Sequence, residues 1–229
     1  MKKSCIIIIS KKNLYSKRII KILKTNFKTK VVWSTDFRNE NLKNKIGNWK
    51  GEYLFHYSSY YKIPTQILNR ALINCINFHP STSKYPGSGG TSMALMNGDK
   101  HFGSIAHLIN YKIDNGLILK EKKFRISKND NIKTLKTKSL KNQFELFKII
   151  ISLIIDNKFN TLIEKSKLSK IKWSKRTYKI KEIDKLQTIT LDLPLSKIKY
   201  INKVIKATHL NNFPVMIKIN KYKFKYYDE

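Results

Sequence analysis

The chain has 229 residues, 41% of them hydrophobic, and a formal net charge of +32 at pH 7. This apolar content suffices for one good core with a small appended module, and excludes a disordered polycation or two large domains. The charge points to an anionic partner: nucleic acid, a membrane surface or an anionic substrate.

Cys5-Ile6-Ile7-Ile8-Ile9 is a continuous apolar run, as in a strand covered on both faces. Leu14 to Leu23 follows with apolar residues at helical spacing (Ile19, Ile20, Leu23), and Val31-Val32-Trp33 is a second strand ending in the turn-prone Ser34-Thr35-Asp36. Tyr53-Leu54-Phe55 is a third strand. Pro64 opens a helix through Ile67, Leu68 and Ala71, and Ile73 to Phe78 is a fourth strand ending at His79-Pro80. The rhythm predicts an α/β fold with a Rossmann-like, mostly parallel sheet and helices on both faces. Ligands of such sheets collect at the carboxyl ends of strands, where Asn77 and His79 fall.

Pro86 to Gly90 is a loop, and Thr91 to Met96 a short helix capped by Thr91 or Ser92. The glycines, Gly89 and Gly90 among them, allow close backbone approach and leave helix N–H groups outward, a seat for an anion or substrate. Phe102 to Leu108 and Gly116 to Phe124 read as a β-pair flanking a loop that holds Asp114. A long helix carries Leu140, Phe144, Phe147, Ile151 and Ile154 on one stripe, widened by Leu146, Ile150 and Leu153. Lys165 to Arg176 is polar and basic, a linker or surface excursion. The tail offers Ile189 to Leu191 as a strand, Ser196 to Thr208 as a helix, and Val215 to Tyr227 as a hairpin around Asn220-Lys221. The division expected is a catalytic domain over 1–160 and a small α+β extension over 161–229.

Only Arg18, Arg38, Arg70, Arg125 and Arg176 are arginines, so lysine supplies most of the 47 basic residues. It is spread through nearly every segment with Ile and Asn, a compositional bias, whereas sequence-reading proteins favour bidentate Arg. Nucleic acid is therefore not the expected partner, although the surplus charge would steer a phosphorylated substrate. Cys5 and Cys75 are too few for a disulfide framework or a zinc site and suit a reducing compartment. The run after Lys2 and Lys3 is shorter than the roughly 7 to 15 residues of a signal-peptide core. Leu146 to Ile155, which includes Lys148, is half the roughly 20 residues of a membrane span. A soluble, cytoplasmic protein is expected.

Asn77 and His79 lie two apart on a strand and emerge on one face, and Asp114 follows 35 residues after His79. An amide, an imidazole and a carboxylate together can pass an acyl group to an amine. The amide and imidazole donate to the oxygen as it gains charge, and the carboxylate holds the imidazole and accepts the amine's proton. His56, His101, His107 and His209 read as structural. No G-x-S-x-G elbow, Cys-His pairing, H-E-x-x-H spacing or nucleotide fingerprint is present.

Ile76-Asn77-Phe78-His79-Pro80-Ser81, then Tyr85-Pro86-Gly87 and Ile113-Asp114-Asn115-Gly116-Leu117-Ile118, resemble the signature of the 10-formyltetrahydrofolate-dependent formyltransferases. Tyr60-Tyr61-Lys62-Ile63-Pro64 is similar to a further family segment. So are Lys175-Arg176, Glu182-Ile183-Asp184 and Lys206-Ala207-Thr208 ahead of Phe213-Pro214, in the tail. The resemblance implies Asn77, His79 and Asp114 as the catalytic set and 10-formyltetrahydrofolate as co-substrate, with no metal. It also implies folate contacts at Tyr60, Tyr61, Lys62, Ile63, Asn110, Tyr111 and Ile113, with acceptor contacts at Ser81, Tyr85, Gly89, Gly90 and Thr91. Thr82-Ser83-Lys84 and Pro86-Gly87 depart from the family pattern near the acceptor. The chain is short for a methionyl-tRNA enzyme with a full C-terminal barrel, and long for a glycinamide ribonucleotide enzyme. A nucleotide-linked amino sugar of the 4-amino-4,6-dideoxy type, used in surface-polysaccharide synthesis, is the expected acceptor, and the apolar tail permits a homodimer. A non-catalytic basic nucleic-acid binder is the alternative of another class, and it would not require Asn77, His79 and Asp114.

Overall fold

A computed structural model describes residues 1–10, 13–34, 41–190, 198–219 and 222–227. In chain order the elements are β1 (Ser4–Ser10), α1 (Ser16–Asn26), β2 (Lys28–Ser34), α2 (Leu42–Ile46), β3 (Gly51–Tyr57), α3 (Thr65–Leu68), β4 (Ala71–His79), α4 (Gly90–Asn97), β5 (His101–Leu108), β6 (Ile118–Arg125), α5 (Ile132–Ile155), α6 (Phe159–Lys167), α7 (Ile180–Leu186), β7 (Thr188–Thr190), α8 (Ile198–Thr208), β8 (Met216–Ile219) and β9 (Tyr222–Lys225). The main sheet runs β2-β1-β3-β4-β5-β6, with the first four strands parallel and the last two antiparallel. A smaller sheet, β7-β8-β9, lies in the tail.

β1 sits inside the sheet, and Cys5 to Ile9 are fully buried. Alternate residues face opposite layers. Cys5, Ile7 and Ile9 join Phe55, Phe78 and the α5 stripe of Phe147, Ile151 and Ile154, with Ile19 and Leu23 of α1 and Phe159 of α6. Ile6, Ile8 and Leu54 meet Leu42, Ile46 and Ile67 on the other side, from the short α2 and α3. Each fully buried aliphatic side chain contributes about 1.5–3 kcal/mol, so these two layers hold the sheet. They are the helix-covered faces of the expected fold.

α5 does more than close the sheet. Asn131 caps it through a reciprocal bond with Thr134. Deep inside, Gln143 donates to the Phe78 carbonyl at 2.6 Å and accepts from Ser58 Oγ, while Ser139 Oγ donates to the Pro80 carbonyl. The carboxyl end of β4 is thereby clasped on both sides of His79.

Several elements differ from the sequence reading. The helix opened by Pro64 ends at Leu68, and Ala71 already belongs to β4, paired with Gly51. α4 starts at Gly90 behind a left-handed Gly89, with no side-chain cap from Thr91 or Ser92. α2, α6 and α7 are additional helices. α6 runs into the expected linker, where Ser166 Oγ donates to the Leu119 carbonyl of β6. β8 and β9 pair antiparallel from Met216↔Lys225 to Ile219↔Tyr222, as expected of a hairpin. Thr35-Asp36, Leu191, Ser196 and the Asn220-Lys221 turn lie outside the described residues.

The tail packs on the rest. Ala207 of α8 enters a cluster with Tyr85, Ala94, Leu95, Phe102, Ile132 and Leu135. No described helix is long and apolar enough to cross a membrane.

Candidate active site

Register alone places a row of polar side chains across three strands. His56 of β3 pairs with Asn77 of β4, and Asn77 pairs with His107 of β5. His56 Nδ1 lies 2.9 Å from Asn77 Oδ1, and Asn77 Nδ2 lies 2.9 Å from His107 Nε2 and donates to Asp114 Oδ1 at 3.3 Å. Both amide N–H groups are engaged in this orientation. His79, two residues further along β4, points its Nε2 at Asp114 Oδ2 from 3.6 Å. That distance is within electrostatic reach but beyond a hydrogen bond. His79 Nε2 is buried with no hydrogen-bond partner. Leaving such a group unpaired costs about 1–3 kcal/mol.

Asp114 reaches this row from the β5–β6 connection. Its backbone is left-handed, with φ at 42°, a conformation costing about 1–3 kcal/mol for a non-glycine residue. The surroundings hold it there. Gly87 N–H donates to Oδ2 at 2.8 Å, and Oδ1 lies 3.3 Å from His107 Nε2. Gly116 serves the same loop by close approach: a Cβ there would sit 1.7 Å from the Leu108 carbonyl oxygen.

The electrostatics follow from burial and these neighbours. Burial alone would raise the Asp114 pKa, but His79, His107 and the Gly87 N–H outweigh it and hold the carboxyl below its ordinary range. Burial pulls His79 down, opposed by Asp114, and pulls His56 down against its bond to Asn77. Cys75, on the same strand, is pushed by burial up to about 12, and Cys5 to about 11, so neither is a thiolate near neutral pH.

The three residues singled out by sequence, Asn77, His79 and Asp114, therefore converge. Two that sequence reasoning set aside as structural, His56 and His107, converge with them. Their signal was register: both are one cross-strand step from Asn77, which no single-sequence reading of β3 and β5 pairs up.

A second omission is larger. Part of the segment read as a linker is a strap over the site. Trp173 Nε1 donates to the Gly116 carbonyl at 2.7 Å, and its ring meets the His107 ring edge-on, 5.0 Å between centroids. Ser174 N–H donates to the Ser83 carbonyl, Tyr178 N–H to the Pro86 carbonyl, and Ser88 N–H to the Tyr178 carbonyl. The strap thus pins the loop whose Gly87 N–H anchors Asp114.

Residues expected to touch folate lie at strand ends beside this row. Tyr61 gives its carbonyl to His56 Nε2 at 3.1 Å, Ile63 is buried, and Tyr60 and Lys62 are exposed. In the other loop Asn110 accepts from Lys112 N–H, while Tyr111 and Ile113 are exposed. Tyr61 and Ile109 pack on one apolar cluster, which brings the two loops to the same side. Of the expected acceptor residues, Tyr85 is fully buried, with its hydroxyl donating to Asp99 and accepting from Asn97. Ser81 is buried and donates to the Tyr85 carbonyl, and a Cβ on Gly90 would meet Ser81 Oγ at 2.4 Å. Gly89 carries φ 89° against Ile183, and Thr91 is half-buried. Ser81, Tyr85 and Gly90 shape the loop from beneath. Among the described residues no group of three or more His, Cys, Asp or Glu is arranged to hold a metal.

An amide, imidazoles and a carboxylate thus gather at the carboxyl ends of the parallel strands, where α/β sheets collect ligands. Residues 4–151 match the formyl transferase family. The chain belongs to that family.

A methionyl-tRNA formyltransferase of Buchnera aphidicola is 31% identical over 204 residues, covering 86% of this chain and 59% of that protein. The chain thus spans less than two thirds of the length of the curated relatives it matches. A 4-N formyltransferase from Francisella tularensis superposes with a TM-score of 0.77 at 18% identity, covering 99% of this chain and 97% of that one. An N-formyltransferase from Helicobacter canadensis, in complex with folinic acid and dTDP-3-aminofucose, superposes at 0.69 with 20% identity, over 96% and 85%. These likenesses establish the shared fold.

Proposed function

We propose that this protein moves the formyl group of 10-formyltetrahydrofolate to the amine of a nucleotide-linked amino sugar, of the 4-amino-4,6-dideoxy type. The observation that carries the reaction is the convergence of Asn77, His79 and Asp114, with His79 Nε2 buried and unpartnered beside the carboxylate. That orphaned nitrogen fits a formyl oxygen, and the Tyr60–Ile63 and Asn110–Ile113 loops fit a pterin ring on the same side. The folate supplies an activated one-carbon unit when bound.

The chain's own residues do the rest. His79, in its protonated form beside the Asp114 carboxylate, donates from Nε2 to the formyl oxygen as it gains charge, and Asn77 does the same from its amide. A lost donor of this kind costs about 3–4 kcal/mol of barrier. Asp114, ionised and anchored by Gly87, takes the proton released by the attacking amine, directly or through a water. Tyr60, Tyr61, Lys62, Ile63, Asn110, Tyr111 and Ile113 would hold the folate. Gly89 and Thr91, above the buried Ser81, Tyr85 and Gly90, would border the acceptor.

The acceptor reading draws support from the fold of the tail. Superposition on the Francisella tularensis 4-N formyltransferase runs through nearly all of both chains, with the small α+β tail included. A second reading, methionyl-tRNA, draws support from the Buchnera aphidicola relative and from the charge of +32. Incubation with 10-formyltetrahydrofolate and a panel of acceptors, read by mass, separates the two. Formylation of a nucleotide-linked amino sugar, with methionyl-tRNA and glycinamide ribonucleotide unmodified, is expected. Formylation of methionyl-tRNA alone would replace the sugar. A cytoplasmic location and a homodimer accompany the proposal.

A further inference from the structure

The hydrogen bonds around Asn77 fix a proton count. His56 Nε2 lies 3.1 Å from the Tyr61 carbonyl, and His107 Nδ1 lies 2.8 Å from the Leu108 carbonyl. A carbonyl oxygen only accepts, so each of these nitrogens carries a proton. The other two ring nitrogens, His56 Nδ1 and His107 Nε2, face the two ends of one carboxamide, each at 2.9 Å. A carboxamide has one accepting end and one donating end. One of these nitrogens must therefore carry a proton, and the other must be bare. All four contacts are satisfied only when the two rings together hold three protons.

Two arrangements meet that count, because the ends of a carboxamide have the same shape. In the first, His56 is the cation and donates to the amide oxygen. Both amide N–H groups then go to His107 Nε2 and Asp114 Oδ1, leaving none for a substrate. In the second, His56 is neutral and its bare Nδ1 accepts one amide N–H. His107 is the cation, and its Nε2–H lies between the amide oxygen and Asp114 Oδ1, 3.3 Å away, replacing the amide's own bond to that carboxylate. The second amide N–H is then free.

The surroundings select the second arrangement. The titratable groups facing His56 are Asp114, in the β5–β6 connection, and His107, on β5; its neighbour on β1 is the apolar Ile8. The carboxylate touches His107 directly, so a positive charge is better placed there. Both rings are buried, so it is contact with the carboxylate that decides.

We infer that His56 is a positioning residue for the transfer: as a neutral acceptor at Nδ1 it turns the Asn77 amide so that one N–H is free for the formyl oxygen. This rests on the formyl-transfer reading, and its first test does not depend on activity. In 15N-histidine NMR of the whole protein at neutral pH, His56 should show a bare Nδ1 and a protonated Nε2, with both His107 nitrogens protonated. A proton on His56 Nδ1 would overturn the inference, whether or not the protein transfers formyl groups. In a His56→Phe variant the amide is free to donate to His107, so His107 Nε2 should lose its proton. If the wild type transfers formyl groups, kcat of that variant should fall about 100-fold, the usual cost of a misplaced reacting group. The variant also loses the bond to the Tyr61 carbonyl in a folate loop, which would raise KM for 10-formyltetrahydrofolate, so the fall in kcat should exceed any rise in KM. Unchanged kcat, or an unchanged His107 signature, would overturn it.

Discussion

Trp173 offers the clearest test of the strap. Replacing it with Ala removes the bond to the Gly116 carbonyl, worth about 1 kcal/mol net and more because that carbonyl is then left without its donor. It also removes the edge-to-face contact with His107, about 0.5–1.5 kcal/mol. Adding the apolar surface of a half-buried ring brings the total to about 3 kcal/mol, at the low end for a buried aromatic. At about 2–4 °C per kcal/mol for a chain of this size, the melting temperature should drop by roughly 6–12 °C. Activity should fall further than stability implies, because the ring borders His107 and its partner Gly116 lies two residues from Asp114. A loss of about 100-fold in kcat/KM, measured well below the melting temperature, is expected. Trp173→Phe keeps the ring contact and loses the N–H, so about 1–2 kcal/mol should go. Differential scanning fluorimetry and initial rates of formyl transfer read both quantities. A Trp173→Ala protein with the melting temperature and rate of the wild type would refute the strap.

Gly116→Ala should prevent folding of the β5–β6 connection, since the new Cβ meets the Leu108 carbonyl oxygen at 1.7 Å. Soluble, cooperatively melting protein at wild-type yield would contradict that. Stability should fall with acid in two steps. Burial holds His56 and His79 below the free imidazole value of 6.5, so the unfolded chain binds these protons first. Their stabilisation is full above that pH and falls as pH drops through it. Asp114, held below its ordinary 3.8, adds a second loss as pH falls through that value. Urea midpoints from about pH 8 to pH 3 should show both steps, and a midpoint that rises toward acid would contradict them.

The parallel half of the fold was legible because its signals are local: the apolar run at Cys5–Ile9, the helix at Ile19 and Leu23, and the strand leading to His79. Strand periodicity put Asn77 and His79 on one face, and the resemblance added Asp114 to them. His56 and His107 were missed for a physical reason. Each becomes a partner of Asn77 only through cross-strand register, a non-local property. Trp173 was hidden in a basic, helix-poor stretch whose hydrogen bonds go to distant backbone at Ser83, Pro86 and Gly116. The Gly89 helix start was misassigned to Thr91 or Ser92 because the cap depends on a loop held by Tyr178.

The central claim is that Asn77, His79 and Asp114 act together on a formyl group. Single-turnover transfer from 10-formyltetrahydrofolate, comparing wild type with Asp114→Asn and His79→Ala, tests it most directly. Each variant should keep the fold and folate binding while the rate falls by about 10²- to 10⁴-fold. A rate within a few-fold of wild type in either variant would contradict the account.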